Sequence, residues 1–83
     1  MEKNGGDSIT IGYVFIDTIP EKEHEVYNSL LNKSRVVKLT PIFEDTDFEL
    51  MAEIEMRDHK KLRYYVLRKI QSLDGVVDTK IYC

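Results

Sequence analysis

Hydrophobic and polar positions recur at two different periods along the chain, and the changes of period divide it into six elements. Ile9 to Asp17 (ITIGYVFID) is rich in β-branched and aromatic residues and predicts a first strand. Thr18, Ile19 and Pro20 form its exit, with Pro20 suited to a first helical position, where its missing N–H costs nothing. Glu21 to Asn32 predicts a helix. Val26, Tyr27, Leu30 and Leu31 fall at helical spacing, and Glu21, Glu23 and Glu25 set negative charge near the positive end of its dipole. Arg35 to Phe43 predicts a second strand, which Pro41 confines to a sheet edge or bends into a bulge. Phe48 to Met56 alternates cleanly, with Phe48, Leu50, Ala52, Ile54 and Met56 set against Glu49, Met51, Glu53 and Glu55. Asp58 is a natural N-cap for a second helix carrying Leu62, Tyr65, Val66, Ile70 and Leu73, which Gly75 stops. Val76 to Tyr82 closes the chain as a fourth strand.

The order β-α-β-β-α-β predicts an α+β, ferredoxin-like sandwich, with a four-stranded antiparallel sheet and both helices on one face. Residues 1–8, polar and Gly-containing, are expected to form a flexible tail ahead of a single domain spanning 9–83. Two helices cover one sheet face only, yet the strands are apolar on both. Ile11, Tyr13 and Phe15 oppose Val14 and Ile16; Val37, Leu39 and Phe43 oppose Val36 and Ile42; Met51 stands among glutamates; and Val77 and Ile81 oppose Val76 and Tyr82. An apolar face of that size marks an interface, with a symmetric homodimer as its default form. Tyr13, Val37, Leu39, Phe43 and Met51 are the expected dimer-interface residues, forming a dimeric α+β barrel.

Composition narrows the function classes. A chain of 83 residues holds one small core, and its one cysteine, Cys83, has no intrachain partner, which fits a cytoplasmic protein. With 12 basic and 15 acidic side chains the formal charge is −3, a poor footprint for direct contact with nucleic acid. Neither a signal peptide nor a membrane span is read in the sequence. It contains no phosphate-binding glycine loop, CxxC, HExxH or nucleophile elbow, and no cofactor is expected. His24 and His59 sit among charged helical neighbours as surface residues. The stretch Glu44, Asp45, Asp47, Glu49 lacks the central glycine and closing glutamate of a calcium loop, so it reads first as a turn and second as a ligand rim. The predicted first helix is acidic and the second basic, through Lys60, Lys61, Arg63, Arg68 and Lys69.

Three strings carry a family resemblance: GYVFIDTIPEKEHEV (Gly12 to Val26), VVKLTPIFEDTDFELMAEIE (Val36 to Glu55) and LRKIQSLDGVVDTKI (Leu67 to Ile81). The last contains an I-x-x-L-x-G-V-x-x-T pattern, from Ile70 to Thr79. From about Ile9 to Tyr82 the chain resembles the C-terminal effector-binding domain of the Lrp/AsnC, or feast/famine, regulators. The resemblance implies dimers joined through their sheets, often assembled into rings of dimers. It also implies an amino acid or similar small effector bound near the turn between strands two and three. The family's G-x-x-D at that turn falls on Thr46 to Glu49, so Thr46 stands for the glycine and Glu49 for the aspartate, while Thr79 matches the closing threonine. Effector-binding residues are therefore expected at Thr46, Asp47, Glu49 and Thr79.

The eight residues ahead of the first strand cannot supply the family's helix-turn-helix, so the chain reads as a stand-alone module. It is expected to bind a metabolite, to co-assemble with full-length Lrp/AsnC regulators, or both, modulating transcription without touching DNA and without enzymatic activity. Two other readings are a small cofactor-free enzyme on a dimeric ferredoxin-like barrel, and a purely structural partner subunit.

Overall fold

The computed structural model describes residues 9–43 and 47–82. The chain runs through β1 (Thr10–Thr18), α1 (Glu23–Leu31), β2 (Val36–Pro41), β3 (Leu50–Met56), α2 (His59–Tyr65), a π-helical turn continuing it (Val66–Ile70) and β4 (Val76–Tyr82). The four strands form one antiparallel sheet in the order β2-β3-β1-β4, the ferredoxin-like arrangement. Both helices pack on the same sheet face. Val26 and Leu30 of α1 and Leu62, Val66 and Ile70 from α2 and the turn share one buried cluster with Val14, Ile16, Leu50, Ala52, Ile54 and Met56. The expected tail at 1–8, Thr46 and Cys83 lie outside the described residues.

Local chemistry accounts for the ends of these elements. Asp58 caps α2, its carboxylate accepting the Lys61 N–H at 2.8 Å. Gly75 stands at φ 97° ahead of β4, a left-handed conformation that glycine adopts without strain. A side chain there would also press on Lys22 and Val26 of the α1 entry. The first helix begins later than the pattern predicts. Pro20 and Glu21 form a turn instead, Glu21 takes φ 78°, and the Lys22 N–H bonds the Ile19 carbonyl at 2.9 Å. Gly12 serves the core: any Cβ there would occupy the space of the buried Leu62 side chain.

The central strands keep the expected alternation, and the edge strands do not. Along β3 every even-numbered residue from Leu50 to Met56 is buried and the odd ones are half-exposed. On β2, Val36 pairs with Ile54 and Lys38 with Glu53, so Val37 is an extra residue in the ladder. The bulge reverses the facing of everything after it. Leu39 lies opposite Ala52 and packs on the helix-covered core, which corrects the expectation that it shares the open face with Val37. A second bulge on β4 follows the same rule. Thr18 pairs with Val76 and Asp17 with Asp78, leaving Val77 over, so Ile81 packs on the core together with Val76.

Away from the helices the sheet presents Tyr13, Phe15, Met51 and Tyr82 among Lys38, Glu53, Glu55 and Lys80. The Phe15 ring meets Tyr82 edge-on at 5.4 Å and Phe48 at 6.0 Å, an aromatic cluster spanning three strands' width. Phe48 thus joins the open face, because β3 begins only at Leu50 and the alternation does not reach back to it. Tyr13, Val37 and Tyr82 are each about half exposed, and Phe43 is 92% exposed.

Candidate functional site

The end of the sheet where β1 stops and β3 starts gathers the acidic residues. Antiparallel pairing brings Ile16 opposite Leu50, and the Glu49 N–H donates to the Ile16 carbonyl at 3.0 Å. That bond places Glu49 beside the last residues of β1, and one of its carboxylate oxygens accepts the Thr18 N–H at 3.2 Å. Asp17 hydrogen-bonds the same carboxyl, and Glu23 at the start of α1 adds further negative field. Burial, opposed by the Thr18 N–H and reinforced by Asp17 and Glu23, pushes the Glu49 carboxyl above its ordinary value.

Glu49 forms a wall between two clefts. On one side a cleft of about 460 Å³ is lined by Glu49 with Tyr27, Pro41, Ile42, Phe43 and Leu50, and by Glu23 and His24 at its rim. On the other, a cleft of about 530 Å³ gathers Asp17, Asp47, Glu49 and Asp78 around Thr18 and Phe48. Thr18 is 3% exposed, and its hydroxyl has no hydrogen-bond partner among the described residues. A buried hydroxyl without a partner is uncommon. One side of this wall is therefore apolar and the other strongly negative, an arrangement that fits a cationic group attached to an apolar body. No group of three or more His, Cys, Asp or Glu among the described residues is arranged to hold a metal ion.

The residues expected at the effector site are only partly brought together. Asp47 and Glu49 line the acidic cleft, and Thr46 lies outside the described residues. Thr79 stands elsewhere. It pairs with Ile16, two strands away from the start of β3, at about 10 Å by the usual strand spacing. Its hydroxyl donates to the Gln71 side-chain oxygen at 3.0 Å, beside α2 and the π turn rather than beside Glu49. Asp17, Thr18 and Asp78 were not singled out by the sequence reading. The signal that could have found the first two is a polar pair closing an apolar strand. His24 and His59 are both exposed.

Among the described residues no helix is long and apolar enough to cross a membrane. No family model matches the chain, and no curated protein matches it. Solved structures do. The protein FFRP-DM1 superposes with a TM-score of 0.78 at 21% identity, over 87% of this chain and 93% of that one. AsnC of E. coli gives 0.77 at 13% identity over 99% of this chain and 56% of its own. A Neisseria meningitidis transcriptional regulator, solved as a complex with L-Met, gives 0.75 at 15% identity over 87% of this chain and 47% of its own. The fold is that of these proteins, as the sequence resemblance implied, and the chain spans about half the length of the two regulators.

Proposed function

We propose that the chain is a regulatory module of Lrp/AsnC type, which binds a small amino-acid-like effector at the Glu49 wall and self-associates through its open sheet face. The observation that carries the reading is a half-buried carboxylate with a raised pKa standing between an apolar cleft and a cluster of acids. An ammonium group set against Glu49 and Asp17 relieves the repulsion between them. The effector's apolar side chain then lies against Tyr27, Ile42 and Leu50, and His24 at the rim offers a ring N–H to its carboxylate. FFRP-DM1, whose name carries the feast/famine abbreviation, and the regulator solved with L-Met support this reading through their shared fold. Regulators rather than enzymes among those neighbours support a non-catalytic role, in which the module acts by assembling with itself or with full-length regulators and without contacting DNA through its acid cleft.

Binding a cation beside a carboxyl whose pKa is raised lowers that pKa, so at an acidic pH where Glu49 is partly protonated effector binding releases a fraction of a proton from it. Titration calorimetry against the twenty standard amino acids, in buffers of different ionisation enthalpy, tests both parts. Heat is expected for amino acids with apolar side chains, with a buffer-dependent component that Glu49→Gln abolishes. Silence towards all of them at millimolar concentration would overturn the ligand role. Silence combined with co-purification of a larger regulator would instead establish a structural partner subunit.

A further inference from the structure

The opposite end of the sheet carries the reverse charge. Residues 59–70 contain five lysines and arginines and no carboxylate, in a chain whose net charge is −3. Lys60, Lys61, Arg68 and Lys69 from this segment converge with Arg35, which precedes β2, around a groove of about 550 Å³. None of the five forms an ion pair with a described carboxylate, and the nearby Asp58 is turned to the Lys61 backbone N–H as the helix cap. Five like charges gathered without an ion-paired carboxylate among the described residues repel one another, and an anion placed between them relieves that repulsion.

The floor of the groove is not ionic. Met56 and the rings of Tyr64 and Tyr65 form it. Tyr64 is 61% exposed, and the Arg68 guanidinium lies 5.3 Å from its ring centroid, so the ring orients the cation while most of the residue stays open to solvent. Tyr65 is deeper. Burial pushes its phenol up, and the Arg35 guanidinium works against that shift from across the groove.

Backbone geometry helps assemble the cluster. From Val66 to Ile70 the helix widens into a π turn, with the Gln71 N–H bonded to the Val66 carbonyl at 2.8 Å. The wider turn advances each residue by less than an α-helix does, which holds Arg68 and Lys69 over the same groove as Lys60 and Lys61. Single π turns in helices are frequently found at functional sites. The groove lies in the helix layer, so association through the open sheet face leaves it accessible.

We infer that this groove is a second binding site, for a nucleoside phosphate, whose phosphates meet Lys60, Lys61, Arg68 and Lys69 and whose base stacks on Tyr64. Cations alone would serve any anion; the exposed ring beside an oriented guanidinium adds the stacking platform that distinguishes an aromatic phosphate from a bare one. The site is separate from the Glu49 wall and stands or falls independently of it.

NMR titration of the full chain tests the inference, using ATP, inorganic tripolyphosphate, a short oligothymidylate and poly-glutamate as probes. ATP is expected to shift the amides of 60–69 and Arg35, and to bind at least tenfold more weakly to the Lys60→Glu/Lys69→Glu variant, whose changes lie on exposed residues. Tyr64→Ala should weaken ATP several-fold and tripolyphosphate distinctly less, since tripolyphosphate loses only the ring's hold on Arg68. Tighter binding of the oligonucleotide than of ATP would assign the source to a nucleic-acid strand, and the reverse to a free nucleotide. No shifts with either nucleotide probe would overturn the site. Equal binding of ATP, tripolyphosphate and poly-glutamate, indifferent to Tyr64→Ala, would overturn its nucleoside specificity.

Discussion

Replacing Phe15 by alanine separates the stability of one subunit from the association of two. Phe15 stands on the central strand β1, flanked by Met51 on β3 and Lys80 on β4, with its ring edge-on to Phe48 and Tyr82. Complete truncation of a buried phenylalanine costs about 3–5 kcal/mol. In an isolated subunit the ring is half-buried, so only part of that, about 1.5–2.5 kcal/mol, is lost with the two ring contacts. If the open face is covered in a two-fold dimer, the remaining ~1.5–2.5 kcal/mol is lost at each copy, about 3–5 kcal/mol per dimer. At about 1.4 kcal/mol per factor of ten, the dissociation constant rises by roughly two to three and a half powers of ten. Sedimentation velocity over a wide concentration series reads this directly, with thermal unfolding as the control for folding. A Phe15→Ala dimer as tight as the wild type would refute the reasoning, as would a wild type that stays monomeric at the highest concentration.

Other substitutions probe the fold and the acid wall. Gly12→Ala forces a methyl group into Leu62, and overpacking of about 1–3 kcal/mol should lower the melting temperature by roughly 4–24 °C; an unchanged melt would contradict the packing described. Asp58→Ala removes the α2 cap and should cost about 1 kcal/mol, whereas Asp58→Asn should cost less, which paired denaturant titrations will show. Glu49 has a folded-state pKa above its unfolded one, so its contribution is fully present below the ordinary carboxylate range and is lost as pH rises through the folded value. Denaturant titrations from acid to neutral pH should therefore find wild type losing stability relative to Glu49→Gln across that window. Parallel curves for the two proteins would contradict the assignment.

How much of this was legible in the sequence depended on whether a residue's position is set locally or across the sheet. The alternation of β3 from Leu50 to Met56 and the burial of Val26 and Leu30 on α1 follow from local spacing, whereas Leu31 of the same stripe is exposed and Phe48 falls on the open face. Asp58 acts within a few residues of itself and caps α2 as the pattern implied, whereas Gly75, expected to stop that helix, stands in the turn before β4 after the helix has already ended at Ile70. Leu39 and Ile81 follow bulges at Val37 and Val77, and a bulge is a property of a strand pair that one strand's alternation does not record. The candidate site divides in the same way. Glu49 stands out in its own acidic stretch, but Asp17 and Thr18 reach it only through the β1–β3 register, 31 positions away for the Thr18 bond. Thr79 matches a sequence pattern, yet its register with Ile16 turns it towards Gln71. The basic character of α2 was plain, but its convergence with Arg35 and the π turn required the folded backbone.

The most direct measurement of the central claim compares, by calorimetry, the tightest-binding amino acid of the standard set with its N-acetyl derivative. Acetylation removes the ammonium charge and keeps the apolar side chain. The account predicts saturable heat for the free amino acid and none for the acetylated one, with Glu49→Gln binding the free form more weakly and without the buffer-dependent component. Equal binding of the two forms, or no binding of any amino acid, would contradict it.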